Sequence, residues 1–141
     1  MKAKPQKTIP PSPVQLRSSH FKEIEVNALE EGSLENPFSL TPRVETAPSV
    51  DHDRIWRIDL TVTIQSDPEN PFAYNGKVRA IGIIEIHPDI DASQVAPFAR
   101  VNGVTLLYGI IRELVHTLTA RSEHGEWILP TLDFRDLATG E

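Results

Sequence analysis

The chain has no cysteine among its 141 residues. This excludes a disulfide scaffold, a thiolate metal site and a thiol nucleophile, while leaving the redox compartment open. A long apolar run is also missing: no window approaches the roughly 20 residues that a membrane helix needs, so bilayer insertion is not expected. Positive charge is in deficit. Fourteen Lys and Arg against twenty Asp and Glu give a net charge of -6, and the basic residues are scattered, which offers a nucleic-acid backbone little to hold. No HExxH motif is present, and of the five histidines, His20, His52, His87, His116 and His124, no pair stands at a zinc spacing. Gly76 and Gly82 match no phosphate-loop pattern. The expectation is a soluble, cytoplasmic chain of one domain, with no metal and no cofactor.

What the chain does contain is one long periodic stretch. Across 103–121, Val104, Leu107, Tyr108, Ile111, Leu114, Val115 and Leu118 form an apolar stripe at 3.6 residues per turn. The spacing predicts a helix laid on a core, capped by Asn102. In 54–64, Trp56, Ile58, Leu60, Val62 and Ile64 alternate with Arg57, Asp59, Thr61 and Thr63, the pattern of a central strand. A second strand is expected over about 74–86, and a half-buried one over 19–29, where Ile24, Val26 and Ala28 oppose Glu23, Glu25 and Asn27. Asp91 is expected to cap a short separate helix that Pro97 bends or ends. Residues 127–134 read as a short edge strand or an extended tail packed on the helix, since Pro130 lacks an N–H for a ladder.

Prolines divide the remainder. Pro5, Pro10, Pro11 and Pro13 lie in 1–13, which lacks the apolar groups to offset ordering and is expected to be mobile. The expected division is an arm at 1–17, a domain at 18–136 and a tail at 137–141. The stretch 30–53 is broken by Gly32, Pro37, Pro42 and Pro48 and cannot be regular helix. Its Leu34, Phe38 and Leu40 are more apolar than a solvated loop needs; they either pack over their own core or are presented to a partner. Ile81 and Ile83 make the second face of the sheet apolar at one end, so a cover from this loop or from another subunit is expected.

Tyr108, Arg112 and His116 stand four apart and form a polar ladder beside the stripe. Such a ladder suits anion binding or acid–base work. The alternative is a helix face whose Arg pairs with a carboxylate and whose Tyr closes the core. No nucleophile, glycine cradle or paired acid accompanies the ladder, and carboxylates such as Asp59 and Glu85 read as solubilising groups on strand faces. The balance favours a binding protein over an enzyme.

The stretch 101–134, VNGVTLLYGIIRELVHTLTARSEHGEWILPTLDF, resembles the corresponding part of the SecB family of bacterial protein-export chaperones. Leu106, Leu107 and Tyr108 match its opening apolar pair and aromatic, Arg112 and Glu113 its Arg-Glu pair, and Leu129, Pro130, Leu132 and Phe134 its closing strand. Gly109 and Ile110 stand where the family has proline and tyrosine, and SEHGEW replaces its glycine-phenylalanine-proline turn, which marks a divergent member. The resemblance implies an α+β fold, a four-stranded antiparallel sheet packed against two helices, assembled as a dimer or tetramer. It implies ATP-independent holding of unfolded polypeptides, with delivery to the export ATPase, or protection of an antitoxin in a toxin–antitoxin system. Phe38, Leu40, Trp56 and Tyr74 are then expected around the client groove, while Leu107, Tyr108, Arg112 and Glu113 belong to the structural helix.

Overall fold

The computed structural model describes residues 7–139. Four antiparallel strands, β1 (Val14–Ala28), β2 (Phe38–Pro48), β3 (Ile55–Ser66) and β4 (Tyr74–Ile86), form one sheet in the order β1-β4-β3-β2. A 3-10 turn, Ala92–Gln94, runs into helix α1 (Val95–Thr119), and a second, Arg135–Thr139, closes the described chain.

The alternation of β3 governs the core. Trp56, Ile58, Leu60, Val62 and Ile64 are all buried, together with Val78, Ala80, Ile84 and Ile86 of β4 and Val104, Leu107, Tyr108, Ile111 and Val115 of α1. The predicted stripe therefore meets the predicted strand face, and it does so closely. A Cβ on Gly103 would lie 2.8 Å from Cγ1 of Ile58 and 2.9 Å from Cδ1 of Ile84. Gly103 is thus the point of tightest helix–sheet contact rather than the start of the helix.

The helix corrects three sequence expectations. The separate short helix is only a 3-10 turn, and α1 begins at Val95 as one long helix. Pro97 is tolerated because it stands in the first turn, where backbone N–H groups have no intrahelical acceptor. Asn102 is therefore interior; its Nδ2 donates to the Phe98 carbonyl at 3.0 Å.

The stretch read as irregular contains β2, paired along its whole length with β3. The Ser49 N–H donates to the Ile55 carbonyl at 2.7 Å, so by the two-residue alternation Pro42 and Pro48 stand where an N–H would point away from β3. Proline there removes no ladder bond, which is why an edge strand accepts it.

The apolar end of the outer sheet face needs no extra cover. Ile81 is buried, flanked in register by Asp59 of β3 and His20 of β1, and half-buried Ile83 is flanked by Arg57 and Ser18. Asp59 is not a solvated carboxylate. It is buried and accepts Arg79 Nε at 3.1 Å and Arg79 Nη2 at 2.8 Å, with Arg57 at 3.6 Å.

The expected boundaries also move. Val14 is buried opposite Ile86, so β1 takes in residues assigned to the arm, of which 1–6 lie outside the described residues. Leu137 packs against the core, so the body extends into the expected tail, whose residues 140–141 lie outside the described residues.

Candidate polypeptide-binding groove

Four aromatic rings from three parts of the chain meet at one end of the sheet. Phe38 opens β2, Phe72 precedes β4, Tyr74 begins β4, and Trp127 arrives from the segment after α1. Phe72 lies 4.7 Å from Phe38 and 4.8 Å from Trp127, and Phe38 lies 5.0 Å from Trp127, all in tilted or edge-on contact. Such ring pairs add about 0.5–1.5 kcal/mol each beyond their buried area. The Tyr74 hydroxyl donates to the Gly125 carbonyl at 2.6 Å, and burial pushes its pKa up. His124 Nε2 lies 2.6 Å from the Leu29 carbonyl and ties the same turn to the end of β1.

Apolar residues next in sequence to this nest are exposed. Leu34 follows Ser33, which bridges to Phe72, and is exposed; Ile128 follows Trp127 and is 56% exposed. Phe38 and Leu40 are half-buried, Leu40 standing opposite Ile64. The other two residues expected at a client groove do not line it. Tyr74 is wholly buried. Trp56 is buried at the far end of β3, opposite Pro48, with its Nε1–H donating to the Asp53 carbonyl at 2.9 Å and Arg100 over its ring. Alternation marks both as inward, and inward here means the subunit core.

Residues 125–134 hold no helix or strand and run beside α1, as the extended tail expected from the sequence. Trp127, Leu129 and Phe134 are buried and Ile128 points out, the alternation of an extended chain. Its backbone is gripped by α1 side chains. The Tyr108 hydroxyl donates to the Pro130 carbonyl, and Arg112 Nε to the Leu129 carbonyl at 2.9 Å. Thr119 Oγ1 accepts the Trp127 N–H at 2.9 Å and lies 3.3 Å from the Trp127 carbonyl. The Tyr108–Arg112–His116 ladder is therefore a backbone clamp, extended by His116 Nε2 at 2.9 Å from the Glu126 carboxylate. Leu107 is fully buried, and Glu113 is exposed on the other side of the helix. Thr119 belongs to the clamp without any signal in the sequence beyond its place two turns past Arg112 on the same face.

The opposite flank of α1 has no such cover. Leu106, Ile110, Leu114 and Leu118 follow one another at four-residue spacing; Leu106 and Leu118 are exposed, and Ile110 and Leu114 are half-buried. On the neighbouring strand β1, Leu16 and Ile24 are exposed on the helix side of the sheet, and the side chains of Leu16 and Leu107 meet over Gly82. The outer sheet face is different again. It carries polar rows such as Ser39, Gln65, Asn75 and Asn27, and mixed charges at Glu23, Lys77, Arg79 and Glu45.

Among the described residues, no cluster of His, Cys, Asp and Glu has the arrangement of a metal site, and no helix is long and apolar enough to cross a membrane.

Comparison with known proteins follows the same lines. The family model described as preprotein translocase subunit SecB matches residues 21–139. Among solved structures, the chain is similar to the Mycobacterium tuberculosis Rv1957 SecB-like chaperone, solved in complex with a ChAD peptide from the Rv1956 HigA1 antitoxin. The TM-score is 0.64 at 14% identity, over 85% of this chain and 91% of that one. A protein of unknown function from Streptococcus agalactiae aligns at 14% identity with a TM-score of 0.43, over 83% of this chain and 96% of that one. No curated protein sequence matches significantly.

Proposed function

We propose that this chain, which belongs to the SecB family, holds an extended segment of another protein against its aromatic nest without using nucleotide. The observation that carries this is half-buried Phe38 against the Phe72 ring, with exposed Leu34 one residue from the Ser33–Phe72 bridge and half-buried Leu40 two residues along β2. A rim with little shape demand takes apolar side chains of many kinds, and a rigid aromatic floor supplies contact area at low entropic cost. Nothing in the geometry asks for a transition state; affinity comes from several modest contacts.

Two client classes follow. One is a dedicated partner such as an antitoxin segment, supported by the structurally similar chaperone solved with an antitoxin peptide. The other is a broad set of unfolded or presecretory chains passed to an export ATPase. The first is favoured. The cytoplasm is the compartment this reading requires.

Assembly into a dimer or tetramer belongs to the same reading. The support is the exposure of Leu106 and Leu118 on the α1 ridge and of Leu16 and Ile24 on the helix side of β1. A second copy is the self-complementary cover such a flank needs.

Aggregation of an unfolded client, followed by light scattering with and without the intact protein and with no nucleotide, tests the holding activity. Suppression of scattering is expected. No protection of any client, together with no binding of any antitoxin-type peptide, would refute both classes.

A further inference from the structure

The groove already contains an extended peptide, and it is the chain's own. Every hydrogen bond that Tyr108, Arg112 and Thr119 make to residues 127–130 ends on a backbone atom. A clamp of that kind reads no sequence, only an extended chain with carbonyls at the right interval. The side chains beneath it alternate: Trp127 and Leu129 enter the core while Ile128 stays out. Segment 125–134 belongs to no strand ladder, so lifting it breaks contacts with α1 and the aromatic nest but no sheet pairing.

We propose that residues 126–134 are an internal occupant of the client site, and that a client segment with bulky apolar residues at alternate positions takes their place on the row formed by the Tyr108 and Arg112 donors and the Thr119 acceptor. The inference deepens the holding function proposed above and rests on it. It names the docking surface as the strap-side face of α1 and the client as an extended peptide patterned like EWILPTLDF. Lifting Trp127, Leu129 and Phe134 out of the core is costly by itself; the client offsets that cost by placing its own alternate apolar side chains in the same positions and its own carbonyls on Tyr108 and Arg112.

Tryptophan emission tests this in the full chain. Trp56 and Trp127 are its two tryptophans, so Trp56→Phe leaves Trp127 as the sole reporter. Addition of reduced, carboxymethylated ribonuclease A, a permanently unfolded probe without tryptophan, is expected to shift Trp127 emission to the red as the strap lifts. Binding of that probe, seen by fluorescence anisotropy of a label on it, with unchanged Trp127 emission overturns the proposal. In a second arm, labelled EWILPTLDF peptide is titrated against wild type and against Leu129→Ser, which loosens the strap. At least tenfold tighter binding to the variant is expected, and equal or absent binding by a variant with wild-type circular dichroism contradicts the proposal. The Trp127 reporter still decides the question if Leu129→Ser does not fold. Failure of the unfolded probe to bind at all removes the holding function, and the peptide arm then decides the strap separately.

Discussion

The two flanks of α1 differ in what they carry and in how they are covered: a polar row of Tyr108, Arg112, His116 and Thr119 on one, an apolar ridge of Leu106, Ile110, Leu114 and Leu118 on the other. On the β2 side, residues 126–134 lie along the helix, fill the aromatic nest and satisfy the polar groups of Tyr108, Arg112 and Thr119. The adjacent sheet edge is guarded as well, since Pro42 and Pro48 replace two of its outward N–H groups. On the β1 side, the Leu106–Ile110–Leu114–Leu118 ridge has no covering segment, and the edge strand Val14–Ala28 contains no proline. The difference teaches that one flank is finished by the chain itself while the other stays bare, which is the basis of the assembly proposed above.

The largest effect is expected at the unguarded edge. The Leu29 N–H donates to the Ala73 carbonyl at 2.8 Å, so by alternation Ile24, opposite Val78, directs its N–H away from β4. Ile24→Pro removes an outward donor and the exposed Ile24 side chain but no bond to β4, and the solution mass is expected to fall to that of one 15.8 kDa chain. The mirror change on the guarded edge, Thr46→Pro, is expected to leave the mass unchanged. Equal behaviour of the two variants in light scattering breaks the comparison.

Asp59 joins the halves of the sheet, since it stands on β3 and its main partner Arg79 on β4. The Arg79 guanidinium holds its carboxyl below the ordinary value of 3.8. A depressed folded pKa means that the contribution is complete above about pH 4 and is lost as pH falls through the folded value. Asp59→Asn is expected to destabilise by about 1–3 kcal/mol at neutral pH, below the cost of breaking a fully buried pair because Arg79 is partly solvated. Urea titrations at pH 7 and in acid measure it; the difference between wild type and variant should shrink in acid.

Phe38→Ser acts on the rim of the covered flank. Peptide affinity of the folded variant is expected to fall about tenfold, near 1.4 kcal/mol, and the unfolding free energy by about 1–3 kcal/mol, because the Phe38 ring touches Phe72 and Trp127. Unchanged affinity in the folded variant would make it a core residue alone.

The smallest effects come from two glycines of α1. Gly103→Ala forces a methyl against Ile58 and Ile84 and should cost about 1 kcal/mol net, overpacking outweighing the gain in helix propensity. At Gly109 a methyl group would meet nothing within 4 Å, and Gly109→Ala should stabilise by roughly 0.8 kcal/mol. Thermal melts distinguish the signs, and a loss at Gly109 would show that a second copy packs there.

Much of this is legible in the chain. Five inward residues in 54–64 and the stripe of 103–121 specify a helix on a strand, because both periodicities are long enough to leave one solution. The resemblance carried by Arg112, Leu129 and Pro130 supplies the fourth strand that the residues alone do not. β2 is hidden because proline at an edge position reads locally as a break, and only the pairing partner shows which way its nitrogen points. Trp56 and Tyr74 mislead for a related reason: an inward aromatic at a strand end looks alike whether it floors a groove or seals a core. The clamp is partly visible as a Tyr–Arg–His ladder, but its target, the backbone of residues 127–130, has no sequence signature at all.

Hydrogen–deuterium exchange on the intact protein, with and without an unfolded client, tests the contrast between the flanks most directly. Outward amides of Ile24, Val26 and Ala28 are predicted to be protected throughout, while the amides of residues 126–134 lose protection when client is added. Rapid exchange along the outer edge of β1, with 126–134 equally protected in both states, would contradict the account.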